Sequence, residues 1–486
     1  MKLKIGRRIT GALLCVALCV TTLPACAANP EDSPVVGKND GVFQQNMTVP
    51  ATTPMEEQIQ YTETFTSTDG TAEYQILFDQ DLLSDPLPIV EVVPRIFTGG
   101  DLQRIAGVLF PEAEFYEREP EDNPRYSKSQ LQKRMNWMTE IADEEAMRSL
   151  WGTELSDYSD QIELLKILLL QYTAQLETAP EENPHTVCNW TFKNDRAYAS
   201  EFNSTGDSTL FATVDLGPVN YKIHSVVRNK SDYKLNRVTV QFGDGLGYNE
   251  QEMRYYQAKL CRTAEPTQAQ VDALTEKAQS MLDRMDMGQW RISRVTVETE
   301  IYGDAREYLV KMDAVPVFQG IPALYGQTIP YLTSDVANAN YFISATQFHF
   351  SANGDLIYFC MDAPVEVSSL INEAAATLPV EELLTLAKSH LSLYGVSEQK
   401  YSGMIWSWYP NPLTCKVRIR RLEFGLARLN VANKDFAYYY APAFAVYGSV
   451  DYYDAETGEH IEFPSPPNVE EEHPILWLNA VDGSVL

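Results

Sequence analysis

Two hydrophobic patterns alternate along the chain, one with apolar residues at every second position and one with apolar residues three or four positions apart. The first pattern predicts half-buried strands; it begins at Tyr61 and indicates a hairpin around Asp69 and Gly70. The second pattern predicts amphipathic helices. In the N-terminal half the patterns predict a strand at 89–93, helices that begin at Thr98 and span 127–148 and 160–178, and strands at 208–216 and 237–242.

After Pro266 the same order of elements occurs twice, about 110 residues apart. Helices at 268–287 and 380–394 each precede a strand, then a strand with an Ala-x-Pro or Ala-Pro element, and finally a strand that closes on Asn-Gly or Asp-Gly. Each unit is expected to lay its helix across one face of an antiparallel sheet. The fold class predicted from these patterns is α+β, with two tandem C-terminal α-β-β-β repeats and a mixed N-terminal domain.

The ends of these patterns predict a division of the chain into six segments. Proline-rich stretches around 180–184 and at Pro266 mark two of the boundaries. The predicted segments are a signal at 1–25, a flexible tether at 26–60, an α+β domain at 61–180, a β-rich domain or extension at 181–265, and the repeats at 266–372 and 373–486. Within the tether, residues 35–41 are a candidate for docking on the folded body.

The first 25 residues have the layout of a secretory signal. Four basic side chains in the first eight residues precede an apolar run at 9–20, which is short for a bilayer span. The segment Leu23-Pro24-Ala25-Cys26 that follows resembles the lipobox of bacterial lipoproteins. This resemblance implies cleavage before Cys26 and lipid attachment to that cysteine. An ordinary signal peptide and a short membrane anchor remain the alternatives.

The charge balance narrows the choice of partners. The chain has 486 residues and a net charge of −29, and removal of residues 1–25 takes away four basic and no acidic side chains, which leaves a net charge of −33. Such a surface repels nucleic acid and anionic headgroups, so nucleic acid is excluded as a partner. Acidity of this kind also serves to keep a secreted protein soluble.

Four cysteines remain after the signal and Cys26 are set aside, namely Cys188, Cys261, Cys360 and Cys415. They are far apart and form no C-x-x-C pair, so neither a zinc site nor a redox motif is indicated. Up to two disulfides or four buried thiols both fit this spacing.

Motifs of catalysis are missing from the sequence. It contains no G-x-S-x-G elbow, H-E-x-x-H helix, Walker loop or EF-hand loop. The glycine-rich run at 243–247 includes Asp244, which would repel a phosphate, and favours a tight turn. Carboxylates and imidazoles gather in the loop at 454–473, but their spacing matches no known cation loop. No catalytic residue, metal ligand or cofactor is therefore assigned.

Aromatic residues before a Pro-Asn-Pro turn are the candidates for contact with a partner or ligand. Trp406, Trp408 and Tyr409 stand together in a predicted loop. Exposed rings suit the faces of sugars and the hot spots of protein partners, whereas the alternative role for aromatic residues is core packing.

The C-terminal unit resembles PepSY-type domains and the related ectodomains of YycH/YycI-type regulators of a cell-wall sensor kinase. The resemblance rests on the Ala-Pro-Ala-Phe strand at 441–444 and the turns at 453–459 and 479–484. The whole mature chain, with the motifs at 36–41 and 93–98, is similar to clostridial extracytoplasmic lipoproteins of a family of unknown function. The regulators keep a membrane helix where this chain has a lipid signal.

These observations together favour a non-enzymatic, lipid-anchored protein on the extracytoplasmic face of a Gram-positive cell membrane. It is expected to bind or regulate another envelope protein. The alternative is a ligand-binding lipoprotein that captures a cell-wall glycan or peptide through its exposed aromatic residues.

Overall fold

The structure is a computed structural model. It describes residues 43, 45–51, 55–84, 86–117, 126–151, 158–182, 186–193, 208–216, 219–229, 234–242, 249–302, 305–324, 345–395, 411–430, 437–461 and 473–486.

Helices and antiparallel strands both occur throughout these ranges, which confirms the α+β class. The helices are α1 (Gly99–Leu109), α2 (Lys128–Ile141), α3 (Glu144–Trp151), α4 (Ser159–Leu176), α5 (Asn249–Cys261), α6 (Gln268–Met285) and α7 (Val380–Leu391). The strands are β1 (Met55–Thr66), β2 (Ala72–Ser84), β3 (Ile89–Pro94), β4 (Tyr116–Glu117), β5 (Ser208–Leu216), β6 (Val219–Asn229), β7 (Lys234–Phe242), β8 (Trp290–Tyr302), β9 (Ala305–Phe318), β10 (Ile321–Pro322), β11 (Ala345–Ser351), β12 (Leu356–Asp362), β13 (Val365–Asn372), β14 (Leu413–Asn430), β15 (Tyr438–Asp454) and β16 (His473–Asn479). None of the described helices is long and apolar enough to cross a membrane.

The larger sheet has nine strands in the order β10-β9-β11-β12-β7-β6-β5-β4, with β8 also paired to β9. One hydrophobic cluster joins its inner face to residues from all of the helices α1 to α6. Phe348, Phe350 and Phe359 are fully buried at its centre. This cluster is the main core of the molecule.

The smaller sheet joins the two ends of the chain. Its order is β1-β2-β14-β15-β3-β13, with β16 on β15, and it is antiparallel except for the parallel pair β2 and β14. Helix α7 packs on it through Leu383 and Leu391, which are fully buried. Strands from the predicted segments 61–180 and 373–486 thus share one sheet, so the boundaries of the predicted segments and of the sheets do not coincide.

Capping residues explain where several helices begin. Thr98 and Asp101 form a capping box at α1, which begins where the sequence predicts. The predicted helix at 127–148 is instead two helices, because the Asp143 carboxylate accepts a hydrogen bond from the Ala146 N–H and starts α3 anew.

The end of the predicted tether is bonded to the folded body. Residues 43–51, apart from residue 44, form what we call the N-terminal strap. Main-chain hydrogen bonds run from Ala51 N to Ala374 O (2.7 Å) and from Ala376 N to Val49 O (2.9 Å). Strand β1 then begins at Met55, six residues before the predicted start at Tyr61, because its pairing with β2 continues that far. Residues 35–41, the predicted docking segment, lie outside the described residues.

The two sheets meet where the residues that follow β10 run beside β14. Ala323 and Leu426 form a parallel bridge, and the Leu324 N–H donates to the Leu426 carbonyl at 2.9 Å. A small cluster that includes Phe318 and Tyr440 fills the junction. A cleft opens beside it.

Candidate functional site

The processing site and the aromatic contact residues that the sequence predicts lie outside the described residues. This applies to the proposed processing site, Leu23-Pro24-Ala25-Cys26, and to the aromatic candidates Trp406, Trp408 and Tyr409. Their roles stay predictions.

Part of the acidic loop at 454–473 is described, and its first carboxylate has a local role. Asp454 is buried and accepts hydrogen bonds from the backbone N–H groups of Glu456 and Thr457 at 2.8 and 2.7 Å. This carboxylate stabilises a turn. Over the described ranges, no three His, Cys, Asp or Glu side chains lie close enough together to hold a metal ion.

Cys188, Cys261, Cys360 and Cys415 are free thiols, and all are buried. Burial raises the pKa of Cys261 and of Cys360 to about 12. Because the thiolate is the nucleophile, thiols with such pKa values are unreactive at neutral pH.

The cleft at the junction of the two sheets is the candidate site. Its volume is about 540 Å³, within the range of ligand pockets in proteins. In the part of the chain that the structure describes, three stretches of backbone and one basic side chain form its walls, and they include the aromatic residues Trp290 and Phe318. The walls are residues 287–290, 316–320 and 365–367, together with Arg95.

Arg95 is fixed in the wall of the cleft by the start of α1. It donates to Asp101 Oδ1 at 2.9 Å and to the Asp286 carbonyl at 3.0 Å. Burial alone would raise the pKa of Asp101, but hydrogen bonds from Thr98 and the charge of Arg95 outweigh burial and lower it. The guanidinium is therefore paired and positioned.

Strand β13 forms the wall of the cleft that faces residues 287–290 and 316–320, and it is an edge strand of the smaller sheet. Among the described strands it pairs only with β3. Its side chains are unusually exposed for a strand, with Val367 at 49% and Leu370 at 38%. The pairing with β3 shifts register between Val367 and Ser369 and again between Leu370 and Asn372, so the regular part of the strand is the part beside the cleft.

The register fixes where the backbone groups of this regular part point. The Arg95 N–H donates to the Pro364 carbonyl at 2.8 Å, which makes these two residues a hydrogen-bonded pair. Hydrogen-bonded and non-hydrogen-bonded pairs alternate along antiparallel strands, so Val365 and Val367 belong to non-hydrogen-bonded pairs. Their N–H and C=O groups therefore point away from β3. Consistent with this, a Cβ built on Gly288 across the cleft would lie 3.9 Å from the Val365 carbonyl oxygen.

The sequence pattern does not mark β13 as a contact site. Its sequence, Val-Glu-Val-Ser-Ser-Leu-Ile-Asn, alternates weakly and would have indicated a strand. Nothing in that local pattern tells an edge strand from a central one, because the neighbours of β13 come from distant parts of the chain.

A buried ionic cluster between α5 and β9 has a structural role. Glu307 is completely buried and accepts from Arg254 Nη1 and Nη2 at 2.6 and 2.7 Å and from Arg262 Nε at 2.9 Å. Every donor belongs to α5 or the residue after it, so the cluster fastens that helix to β9.

A histidine on the outer face of the larger sheet has a strongly lowered pKa. Burial, assisted by the positive charge of Lys311, lowers the pKa of His349 to about 3. Its ring lies 5.0 Å from the ring of Tyr358. The imidazole is thus neutral at physiological pH.

Comparisons with known proteins leave the family open. No protein-family model and no curated protein matches the sequence. A crystal structure of an uncharacterized protein from Eubacterium rectale is similar over 87% of this chain and 98% of its own, with 13% sequence identity and a TM-score of 0.35. That degree of similarity carries no argument about fold or function.

Proposed function

We propose that the protein is a non-enzymatic, lipid-anchored cell-surface protein that binds or regulates another envelope protein at the cleft beside β13. The observation that carries this proposal is an exposed edge strand that borders a cleft large enough to admit part of a partner. Edge strands of this kind are a recurrent place of attachment for extended protein segments.

The anchor is part of the proposal. The signal layout and the Leu23-Pro24-Ala25-Cys26 segment support lipid attachment at Cys26 on the extracytoplasmic face of the membrane. The missing catalytic motifs support a role in binding.

We also propose that residues 266–372 and 373–486 are two PepSY-like repeats. Helix α6 is followed by β8, β9 and β11 in that order within the larger sheet, and α7 is followed by β14, β15 and β16 in the same order within the smaller one. The first strand of each unit carries a bulge, between Ile292 and Arg294 in one and between Ile419 and Arg421 in the other. These parallels support a common origin of the two units.

The proposal is tested by crosslinking the tagged, anchored protein in cells and purifying it with its partners. Recovery of one membrane protein in near-stoichiometric amount is the expected result. A Cys26→Ser variant serves as the control; it should be released or left unprocessed and should recover far less of that protein.

Two results would contradict this function. Recovery of wall polymer alone would favour the alternative of a glycan- or peptide-binding lipoprotein. Hydrolysis of peptidoglycan or peptides by the purified protein would show that it is an enzyme.

A further inference from the structure

We infer that the edge of β13 that no described strand covers binds an extended segment of a membrane protein, which adds to the smaller sheet as one more strand and carries basic side chains. This inference rests on the proposed function and gives it a binding mode and a class of partner.

The backbone of β13 offers the groups that strand addition needs. The N–H and C=O groups of Val367 point to this edge and can bond to an added strand, whereas the Val365 carbonyl already faces the turn at Gly288. An added strand lies about 4.8 Å from its neighbour. Beside Val367 the cleft, about 540 Å³ in volume, provides this space.

The two bulges limit what can add to the edge. They interrupt the regular ladder after Val367, and bulges of this kind prevent long edges from pairing with one another. The regular stretch therefore suits a short segment whose apolar side chain enters the cleft between Trp290 and Phe318. Val367 and Leu370, both exposed, provide further apolar contact.

Charge selects a basic segment. Glu366 and Glu373 are exposed on β13 and just after it. Asp286, beside the cleft, pairs with Arg104 at 3.2 Å, so these two glutamates supply the negative charge of the edge. Among the described residues of the cleft wall the one cation is Arg95, which already pairs with Asp101. A segment with Lys or Arg between its apolar residues complements this edge.

The proposed lipid attachment keeps this edge within reach of the membrane. Asn372, the last residue of β13, donates to the carbonyls of Met47 and Val49 in the N-terminal strap, both at 3.1 Å. Phe43 follows Cys26 by seventeen residues, so a lipid on Cys26 keeps the strap within about 60 Å of the bilayer even at full extension. The end of β13 is thus tied to the point where the tether reaches the body, and the partner segment is one that leaves the membrane nearby.

The test is site-specific photocrosslinking in cells with the full-length, lipidated protein. A benzophenone amino acid replaces Leu370 on the edge strand or, as a control, Ile301, which is 66% exposed at the far end of β8. Crosslinks from position 370 are expected to map by mass spectrometry to an extracytoplasmic segment of a membrane protein that is rich in Lys or Arg. Position 301 is expected to give less than about a tenth of that yield, because Ile301 lies outside the proposed contact surface on β13.

A matched pair of substitutions tests the strand hydrogen bonds. Val367→Pro removes the outward N–H without touching the ladder to β3, whereas Val367→Ala keeps the N–H and shortens the side chain. The proline variant is expected to lose at least about tenfold in crosslink yield and the alanine variant less than about threefold. Equal melting temperatures verify that both variants fold. A Glu366→Lys variant tests charge and should also lower the yield, and it does so without altering the backbone.

The outcomes separate the binding mode from the function. If one membrane protein is recovered in near-stoichiometric amount but Val367→Pro and Glu366→Lys leave its crosslink unchanged, the proposed function stands and strand addition at β13 is refuted. If position 370 crosslinks to a second copy of this chain, the edge is a self-association surface and the inference is wrong. If no stoichiometric protein is recovered from either position, both the function and the inference fail.

Discussion

Glu307 and Arg254 form a two-pronged ion pair in the interior, with both oxygen atoms of the carboxylate bonded to the two terminal nitrogen atoms of the guanidinium. The side chains are 0% and 6% exposed. Pairs of this geometry tolerate burial because each charge satisfies the other.

Breaking this pair should destabilise the fold severely. Arg254→Ala leaves the buried Glu307 with the partly exposed Arg262 as its remaining described cation, and we expect a loss of about 3–5 kcal/mol in the free energy of unfolding. Urea denaturation of the variant measures it. As the control, Arg148→Ala removes an exposed pair with Glu144 within α3 and should cost less than about 0.5 kcal/mol. Similar losses in the two variants would contradict this prediction.

His349 should make the protein less stable in mild acid. Its pKa in the folded protein is about 3, below the value of 6.5 expected when the chain is unfolded. Between these values the unfolded chain binds a proton that the folded protein does not, so stability is complete above pH 6.5 and falls as the pH falls toward 3. Between pH 7.5 and pH 5 this one group should cost about 2 kcal/mol.

The variant His349→Gln isolates this effect. It should show a smaller difference in unfolding free energy between pH 7.5 and pH 5 than the parent, as measured by urea denaturation at both pH values. The positive charge of Lys311 remains in the variant, so a comparison within each protein cancels its contribution. An unchanged difference would mean that the imidazole becomes protonated without unfolding.

Two glycines should respond in opposite directions to the same substitution. A Cβ at Gly448 would lie 2.1 Å from the Arg418 carbonyl oxygen of the neighbouring strand, so Gly448→Ala must shift the pairing of β14 and β15 and should cost about 2 kcal/mol or more. Gly107 lies on the exposed side of α1, where a Cβ meets no atom within 4 Å. Gly107→Ala should raise stability by about 0.5–1 kcal/mol because alanine favours the helix. Melting temperatures of the two variants test both signs.

The N-terminal strap should loosen when Asn372 loses its amide. Asn372→Ala removes the two hydrogen bonds to Met47 and Val49, and we expect amide hydrogen exchange at Ala51 and Ala376 to accelerate by about fivefold to tenfold. The melting temperature should change little, since the strap lies at the surface. Gln132→Ala, which removes an exposed side-chain bond on α2, should leave exchange in the strap unchanged.

Local elements of this fold are readable from the sequence because their signals are local. The stripe of Val271, Leu274, Ala278 and Leu282 predicts the buried face of α6, and these four residues are buried there. The helix α7 and the strand β5 likewise occur where the patterns predict them. In each case a periodic run of about ten residues contains the whole signal.

Which strands pair with one another cannot be predicted from such local patterns. Residues of β2 pair with residues of β14 in parallel, and β3 pairs with both β13 and β15, yet the alternation in β2 and β3 fits many partners equally well. The cleft depends on these pairings, since its walls come from three distant stretches. For that reason the sequence indicated surface aromatics as the contact site and did not indicate β13.

If the protein is exported as proposed, the closure of the smaller sheet sets an order of events. Gln80 in β2 bonds to the backbone of Leu422 in β14, 342 residues later. A chain that crosses the membrane from its N-terminus therefore delivers β1 and β2 to the outer surface long before their partner arrives. Until β14 arrives, the edge of β2 that pairs with it stays open, so the final sheet forms only when nearly the whole chain has crossed. Such late, non-local pairing slows folding and leaves an open edge that favours aggregation.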